Sequence, residues 1–168
     1  MKVAPRPSAP VWAWVFGTWF GSGFSPLIPG TAGTLASLPL VWALGFCLPA
    51  YWGWSPWCLA ATILLFFPAV AASTRLEKAL GGHDPGAVVV DETLGTLLTM
   101  AFLPASAYHH WPAYVVAFFL FRFLDVWKPS FVGRSQDLPT GMGIVIDDVL
   151  AGLLGGIPLG LLWWLCWR

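Results

Sequence analysis

The chain has 168 residues, of which 58% are hydrophobic and only 10% charged, and its mean hydropathy is +0.74. That composition excludes an ordinary soluble domain and indicates one membrane-embedded domain over 1–168, with residues 1–10 as a flexible, Pro-rich N-terminus. Eight Lys and Arg balance eight Asp and Glu, so no basic surface is available for nucleic acid, and any recognition must be local.

The first apolar stretch, VWAWVFGTWFGSGF at 11–24, is short for a span and reads as an interfacial or re-entrant helix before SPLIPG interrupts it. Five longer runs follow at 34–50, 57–74, 88–104, 112–128 and 146–166, near the ~20 apolar residues a transmembrane helix needs. The expected fold is therefore all-α, a membrane helical bundle of about five transmembrane helices plus the N-terminal helix. The breaks LPAYWGWSPW and LPASAYHHWP carry Pro, Trp and Tyr, which stop helices and suit the headgroup level. Residues 75–87 and 129–145 are instead polar and Gly-rich. If the spans alternate, Lys2, Arg6, Arg75, Lys78, Lys128 and Arg134 share one side, which the positive-inside rule makes cytoplasmic; Arg168 lies opposite. Cys47, Cys58 and Cys166 form neither a CxxC site nor a disulfide framework and read as apolar filler.

The acids gather on that same side: Asp84, Asp91, Glu92, Asp125 and the adjacent Asp147 and Asp148. Carboxylates at a bilayer are costly and must be paired, hydrated or bound to a cation. Several together repel one another unless a divalent ion neutralises them, and oxygen-only ligands suit Mg²⁺. Asp148, Gly152 and Gly156 follow at i, i+4, as do Asp91, Gly95 and Thr99, so both acids share a helix face with small residues at which another helix packs closely. Arg122, Asp125 and Lys128 are spaced by three and place two cations beside an acid. In SGFSPLIPGTAGTLAS, Ser25, Gly30, Thr31 and Thr34 precede a helix whose N-terminus favours an anion. Carboxylates for a metal plus Arg and Lys for anionic oxygens suit phosphoryl chemistry.

Each feature also has a plainer reading. SPLIPGT is commonly a turn and cap, His83 in GGHDPG a surface turn residue, Arg122 and Asp125 a structural ion pair, and Asp147 a helix cap. The convergence of the acids on one face, in a chain with so few charges, favours a site. From residues alone the reading is a Mg²⁺-dependent membrane enzyme acting on a phosphorylated substrate.

Four segments in this order and at these separations, GSGFSPLIPGTAGTLASLP, HDPGAVVVDETLG, FRFLDVWKP and GMGIVIDDVLAG, resemble the bacterial phosphatidylglycerophosphatase A family over about 16–158. The resemblance implies an inner-membrane, Mg²⁺-dependent phosphatase that converts phosphatidylglycerophosphate to phosphatidylglycerol with its site facing the cytoplasm. It carries the acidic motif positions onto Asp84, Asp91, Glu92, Asp125, Asp147 and Asp148, with Arg122 and Lys128 in the same motif as Asp125. On that basis Asp84, Asp91, Glu92, Asp147 and Asp148 are expected to hold one or two Mg²⁺, with Asp125 a ligand or base. Arg122 and Lys128 are expected to stabilise the phosphoryl oxygens, and His83 or a water to protonate the leaving group. Ser25, Gly30, Thr31 and Thr34 are expected to hold the phosphate or the glycerol phosphodiester, and the lipid tails to remain in the bilayer beside 11–24. The signatures of other membrane lipid phosphatases, of CDP-alcohol phosphotransferases and of aspartyl-phosphate enzymes are absent. The rival of a different class is a small cation carrier or channel using the carboxylates as its ion site.

Overall fold

A computed structural model describes residues 8–82, 84–127 and 138–166. Among them the regular structure is helical, with only isolated bridges at Tyr51–Trp54 and Trp54–Pro104. Six α-helices follow in order: α1 Val11–Gly17, α2 Pro29–Trp42, α3 Trp57–Leu80, α4 Val90–Ala101, α5 Trp111–Trp127 and α6 Gly141–Cys166.

Helix α1 is shorter than the 11–24 stretch. Its chain leaves Gly17 through a left-handed turn at Trp19, Phe20 and Gly21 and closes with a 3₁₀ turn, Ser22–Phe24. The Thr18 hydroxyl donates to the Trp14 carbonyl at 2.6 Å, and the Ser22 hydroxyl to that of Trp19 at 3.0 Å. Local side-chain bonds of this kind compete with helix and end it. Val11, Trp12 and Val15 remain exposed, while Ala13 and Gly17 are buried.

Helix α2 begins at Pro29, five residues before the apolar run, because Pro at the first helical position loses no hydrogen bond. It runs through Pro39 into a π-helical turn, Ala43–Cys47, where Gly45 lies against the Tyr108 ring; a Cβ there would enter the ring.

Among the described residues three helices are long and apolar enough to cross a membrane: Pro29–Cys47, counting the π turn, Trp57–Leu80 and Gly141–Cys166. All five expected segments are helical, but the count of five spans is not exact. Helix α5, with 17 residues, is at the short end of the spanning range, and α4, with 12, rises only ~18 Å against a ~30 Å hydrocarbon core. The expected 88–104 run is shortened by the turn at Phe102 and by Pro104.

Helix α4 is the centre of the bundle, with every residue but Glu92 buried. A helix ending inside apolar surroundings needs partners for its last carbonyls. Trp54 Nε1 donates to the Ala101 carbonyl at 2.7 Å, and the Tyr108 hydroxyl to that of Met100 at 2.8 Å. The aromatic breaks between the apolar runs thus close the far end of the central helix.

Helix α4 packs most extensively on α6, then on α3 and α2. The glycine stripes make this crossing. A Cβ on Gly152 would stand 2.6 Å from the Gly95 carbonyl oxygen, and one on Gly156 2.8 Å from that of Thr99. Thr99 donates its hydroxyl to the Gly95 carbonyl at 2.8 Å. Gly152→Ala should therefore destabilise the bundle by about 1–3 kcal/mol through overpacking. Thermal unfolding in detergent checks this, and an unchanged midpoint would show that the two backbones are not in close contact.

Candidate active site

Four helices and one loop deliver polar groups to one end of the bundle. Asp91 and Glu92 occupy the first turn of α4, Asp147 and Asp148 the second turn of α6, and Arg122 and Asp125 the last turns of α5. Gly30 and Thr31 lie in the first turn of α2, and Asp84 comes from the connection between α3 and α4. All of these residues line a single cavity of about 360 Å³, walled by the apolar side chains of Ile28, Val88, Val126 and Ile144.

Local folding explains why the acids converge. On α5 the buried positions are Ala113, Ala117, Phe121 and Asp125, one stripe at a period of four, so Asp125 ends the face turned to the bundle. On α6 the glycine-rich stripe that meets α4 carries Asp148 inward. Asp147 is not a cap, because α6 starts six residues earlier at Gly141, whose N–H donates to Thr74 Oγ1 on α3 at 3.1 Å.

The acids are deeply placed: Asp147 is 2% exposed, Asp148 3%, Asp91 6% and Asp125 9%. Two groups of carboxylates share Asp148. Asp91, Glu92 and Asp148 bring one oxygen each within 4.8 Å of one another, and Asp125, Asp147 and Asp148 do the same. Oxygens Asp91 Oδ1, Glu92 Oε2 and Asp148 Oδ2 are buried with no hydrogen-bond partner. Buried carboxylate oxygens without partners are costly unless a proton or a counter-charge neutralises them. The donor set is all carboxylate, the chemistry that suits a hard divalent cation, and Asp148 belongs to both groups.

Arg122 is the one cation among the described lining residues, facing six carboxylates. Its Nη1 donates to Asp125 Oδ2 at 2.6 Å and lies 3.8 Å from Glu92 Oε1. The Arg122–Asp125 ion pair therefore exists, but inside the cavity, where the guanidinium also faces the space that a ligand would fill. Gly30 sits directly on this pair: a Cβ there would collide with Glu92 Oε1 and stand 3.1 Å from both Arg122 Nη atoms. The first N–H groups of α2, without intrahelical acceptors, open onto the same place.

Of the residues singled out in the sequence, Asp84, Asp91, Glu92, Asp125, Asp147, Asp148, Arg122, Gly30 and Thr31 are brought together. Asp84 lines the cavity from its outer loop, in a left-handed conformation with φ 50°, outside both carboxylate groups. Thr34 is buried one turn further along α2, and its hydroxyl donates to the Gly30 carbonyl at 2.9 Å. Ser25 follows the 3₁₀ turn and does not line the cavity. His83 and Lys128 lie outside the described residues, as do Arg134 and Asp137. The apolar wall of Ile28, Val88, Val126 and Ile144 was missed, since aliphatic residues in so apolar a chain give no signal.

The fold and cavity together define a class, an all-helical membrane protein whose polar chemistry is concentrated in one carboxylate-lined cavity at one end of the bundle. Within it, the chain belongs to the phosphatidylglycerophosphatase A family, whose model matches residues 15–163, and so to the phosphatases among the hydrolases. It is 34% identical over 155 residues to phosphatidylglycerophosphatase A of Escherichia coli, covering 85% of this chain and 84% of that protein. It is 36% identical over 135 residues to the Haemophilus influenzae protein of the same name, covering 80% and 78%. A protein of Bacteroides thetaiotaomicron named a putative phosphatidylinositol-3-phosphatase is 40% identical over 153 residues, covering 89% and 92%. No solved structure matches the chain.

Gly30→Ala should displace Glu92 or Arg122 and lower kcat/KM for phosphate release by about 100-fold, the scale of an ångström-sized misplacement. Wild-type kinetics in that variant would separate the start of α2 from the reacting centre.

Proposed function

We propose that the protein hydrolyses the terminal phosphate monoester of phosphatidylglycerophosphate, giving phosphatidylglycerol and phosphate, in a Mg²⁺-dependent reaction at the cytoplasmic surface of the bacterial inner membrane. The observation that carries this reading is the meeting, in one cavity, of two carboxylate groups sharing Asp148 with Arg122 and the start of α2. The family membership supplies the lipid.

Asp91, Glu92, Asp147 and Asp148 would hold Mg²⁺, with Asp84 at the rim and Asp125 as a further ligand or as base. Bound there, Mg²⁺ supplies neutralisation of the phosphoryl oxygens and a more acidic water. The chain's own groups do the rest. Arg122 donates to the phosphoryl oxygens, whose negative charge its delocalised fork matches. The free N–H groups of Gly30 and Thr31 bind a second edge of the same phosphate. Asp125, held by Arg122, is placed to take a proton from the attacking water. The new P–O bond forms as the bond to glycerol oxygen breaks, and that oxygen gains a proton to leave as the hydroxyl of phosphatidylglycerol. The apolar wall limits the water that reaches the site.

Support for the cytoplasmic face comes from α3. Arg75 and Lys78 lie in its last turns, at the end where Thr74 meets the start of α6 and hence at the cavity end. The gathering of the acids at one end, and not along a path through the bundle, favours an enzyme over a cation carrier.

The experiment is phosphate release in detergent micelles from phosphatidylglycerophosphate, phosphatidylinositol 3-phosphate and phosphatidic acid, each with Mg²⁺ and with excess EDTA. The expected result is Mg²⁺-dependent release, fastest from phosphatidylglycerophosphate. Faster release from phosphatidylinositol 3-phosphate would transfer the headgroup to the one named for the Bacteroides relative. No release from any lipid by folded protein would leave the carboxylates as a transport site.

A further inference from the structure

The two helices that flank the cavity also leave an apolar groove between them. Helix α2 is drawn to the start of α4, where a Cβ on Gly33 would stand 2.6 Å from Val89 Cβ. Helix α5 is drawn to α6, where a Cβ on Gly155 would stand 3.2 Å from Leu124 Cδ1. Held to different neighbours, α2 and α5 scarcely touch along most of their length. The space between them is a groove of about 630 Å³, its lining including Leu35, Trp42, Trp111 and Val115.

The groove and the cavity lie on the same faces of the same helices. On α2, Thr31 of the cavity, then Leu35 and Trp42 of the groove, fall at i, i+4 and i+11, one helical stripe. On α5, Trp111 and Val115 of the groove and Arg122 of the cavity repeat the pattern at i, i+4 and i+11. Along α2 and its π turn the groove starts at Leu35, one turn beyond Thr31 of the cavity, and runs to Phe46, a rise of about 16 Å that reaches His109 at the far end. A largely apolar groove of that length, beginning one helical turn from a site for a charged headgroup, has the dimensions of a lipid chain. Helix α1, which packs on α3, does not line the cavity.

From this we infer that a fatty acyl chain of the lipid substrate lies in the α2–α5 groove, and that the substrate reaches the cavity sideways from the surrounding leaflet through this gap. The inference rests on the proposed lipid phosphatase activity and adds the position of the chain and the direction of approach. It assigns Leu35 and Val115 as residues that recognise lipid, not headgroup. Because most of the lining is aliphatic or aromatic, the groove selects for the presence and length of a chain more than for its identity.

Photocrosslinking tests this without relying on turnover. A phosphatidylglycerophosphate bearing a diazirine in one acyl chain is irradiated with the full-length protein in nanodiscs, and adducts are mapped by mass spectrometry. The expected adducts concentrate on the α2 and α5 groove residues, exceeding by about tenfold those on Ile63, Leu64 and Phe67 of the exposed α3 face, if the groove buries even two more methylene groups than that face. Adducts spread evenly over α3 and the groove would overturn the inference.

A second arm fills the groove with the pair Leu35→Trp and Val115→Trp and compares phosphate release from a long-chain and a dibutyryl form of the substrate. The expected result is a rise of about tenfold in the ratio of long-chain to short-chain KM, the effect of losing two methylene contacts. An unchanged ratio contradicts the groove, whether activity is retained or falls equally for both lipids. Groove adducts in a protein that releases no phosphate would separate failure of the activity from failure of the lipid position.

Discussion

Burying carboxylates together is the costliest act in this fold, and the rest of the arrangement follows from it. Each anion loses its hydration, and each repels the next, so six of them around one guanidinium is not a stable resting arrangement by itself. Two local devices offset part of that cost. Asp91 and Glu92 stand in the first turn of α4, where the helix dipole favours negative charge. Arg122 bonds Asp125 and approaches Glu92. The oxygens of Asp91, Glu92 and Asp148 that remain without partners are the ones the proposed divalent cation would neutralise.

To bring acids of α4, and separately of α5, within 4.8 Å of Asp148 on α6, the helices must approach more closely than ordinary side chains allow. The glycines at 95, 152 and 156 answer that need between α4 and α6, and Gly30 answers it where α2 meets Glu92 and Arg122. A short central helix serves the same end. With 12 residues, α4 holds its N-terminal acids at the cavity while Trp54 and Tyr108 satisfy its C-terminal carbonyls within the bundle. Membrane depth normally forbids such an ending, and the surrounding protein makes it tolerable.

The sequence was most readable where its composition was most unusual. In a chain with 10% charged residues, every inward acid stood out, and the i, i+4 spacing of Asp148, Gly152 and Gly156 correctly indicated a close helix contact. Helix existence was legible from apolar runs; helix ends were not. SPLIPGT reads as a turn, yet Pro29 starts α2, and GMGIV reads as loop, yet its glycine packs onto the backbone of α3 and begins α6. Thr34 looked like a phosphate ligand because a hydroxyl near a helix start is a common one. Its bond to the Gly30 carbonyl is a tertiary-independent alternative that spacing cannot exclude. The α2–α5 groove had no sequence signature, since its residues differ from lipid-facing ones only by what lies across from them.

The proposal that the buried acids take up a divalent cation is tested by thermal unfolding in detergent, without substrate, across a Mg²⁺ titration for wild type and Asp148→Asn. Losing one shared negative charge should leave the variant more stable than wild type in EDTA, because repulsion falls while shape is kept. Mg²⁺ should stabilise wild type, by about 2.7 kcal/mol at a hundredfold excess over Kd, and stabilise the variant much less. A wild type indifferent to Mg²⁺, together with a variant destabilised in EDTA, would contradict the account and make Asp148 a structural partner within the bundle.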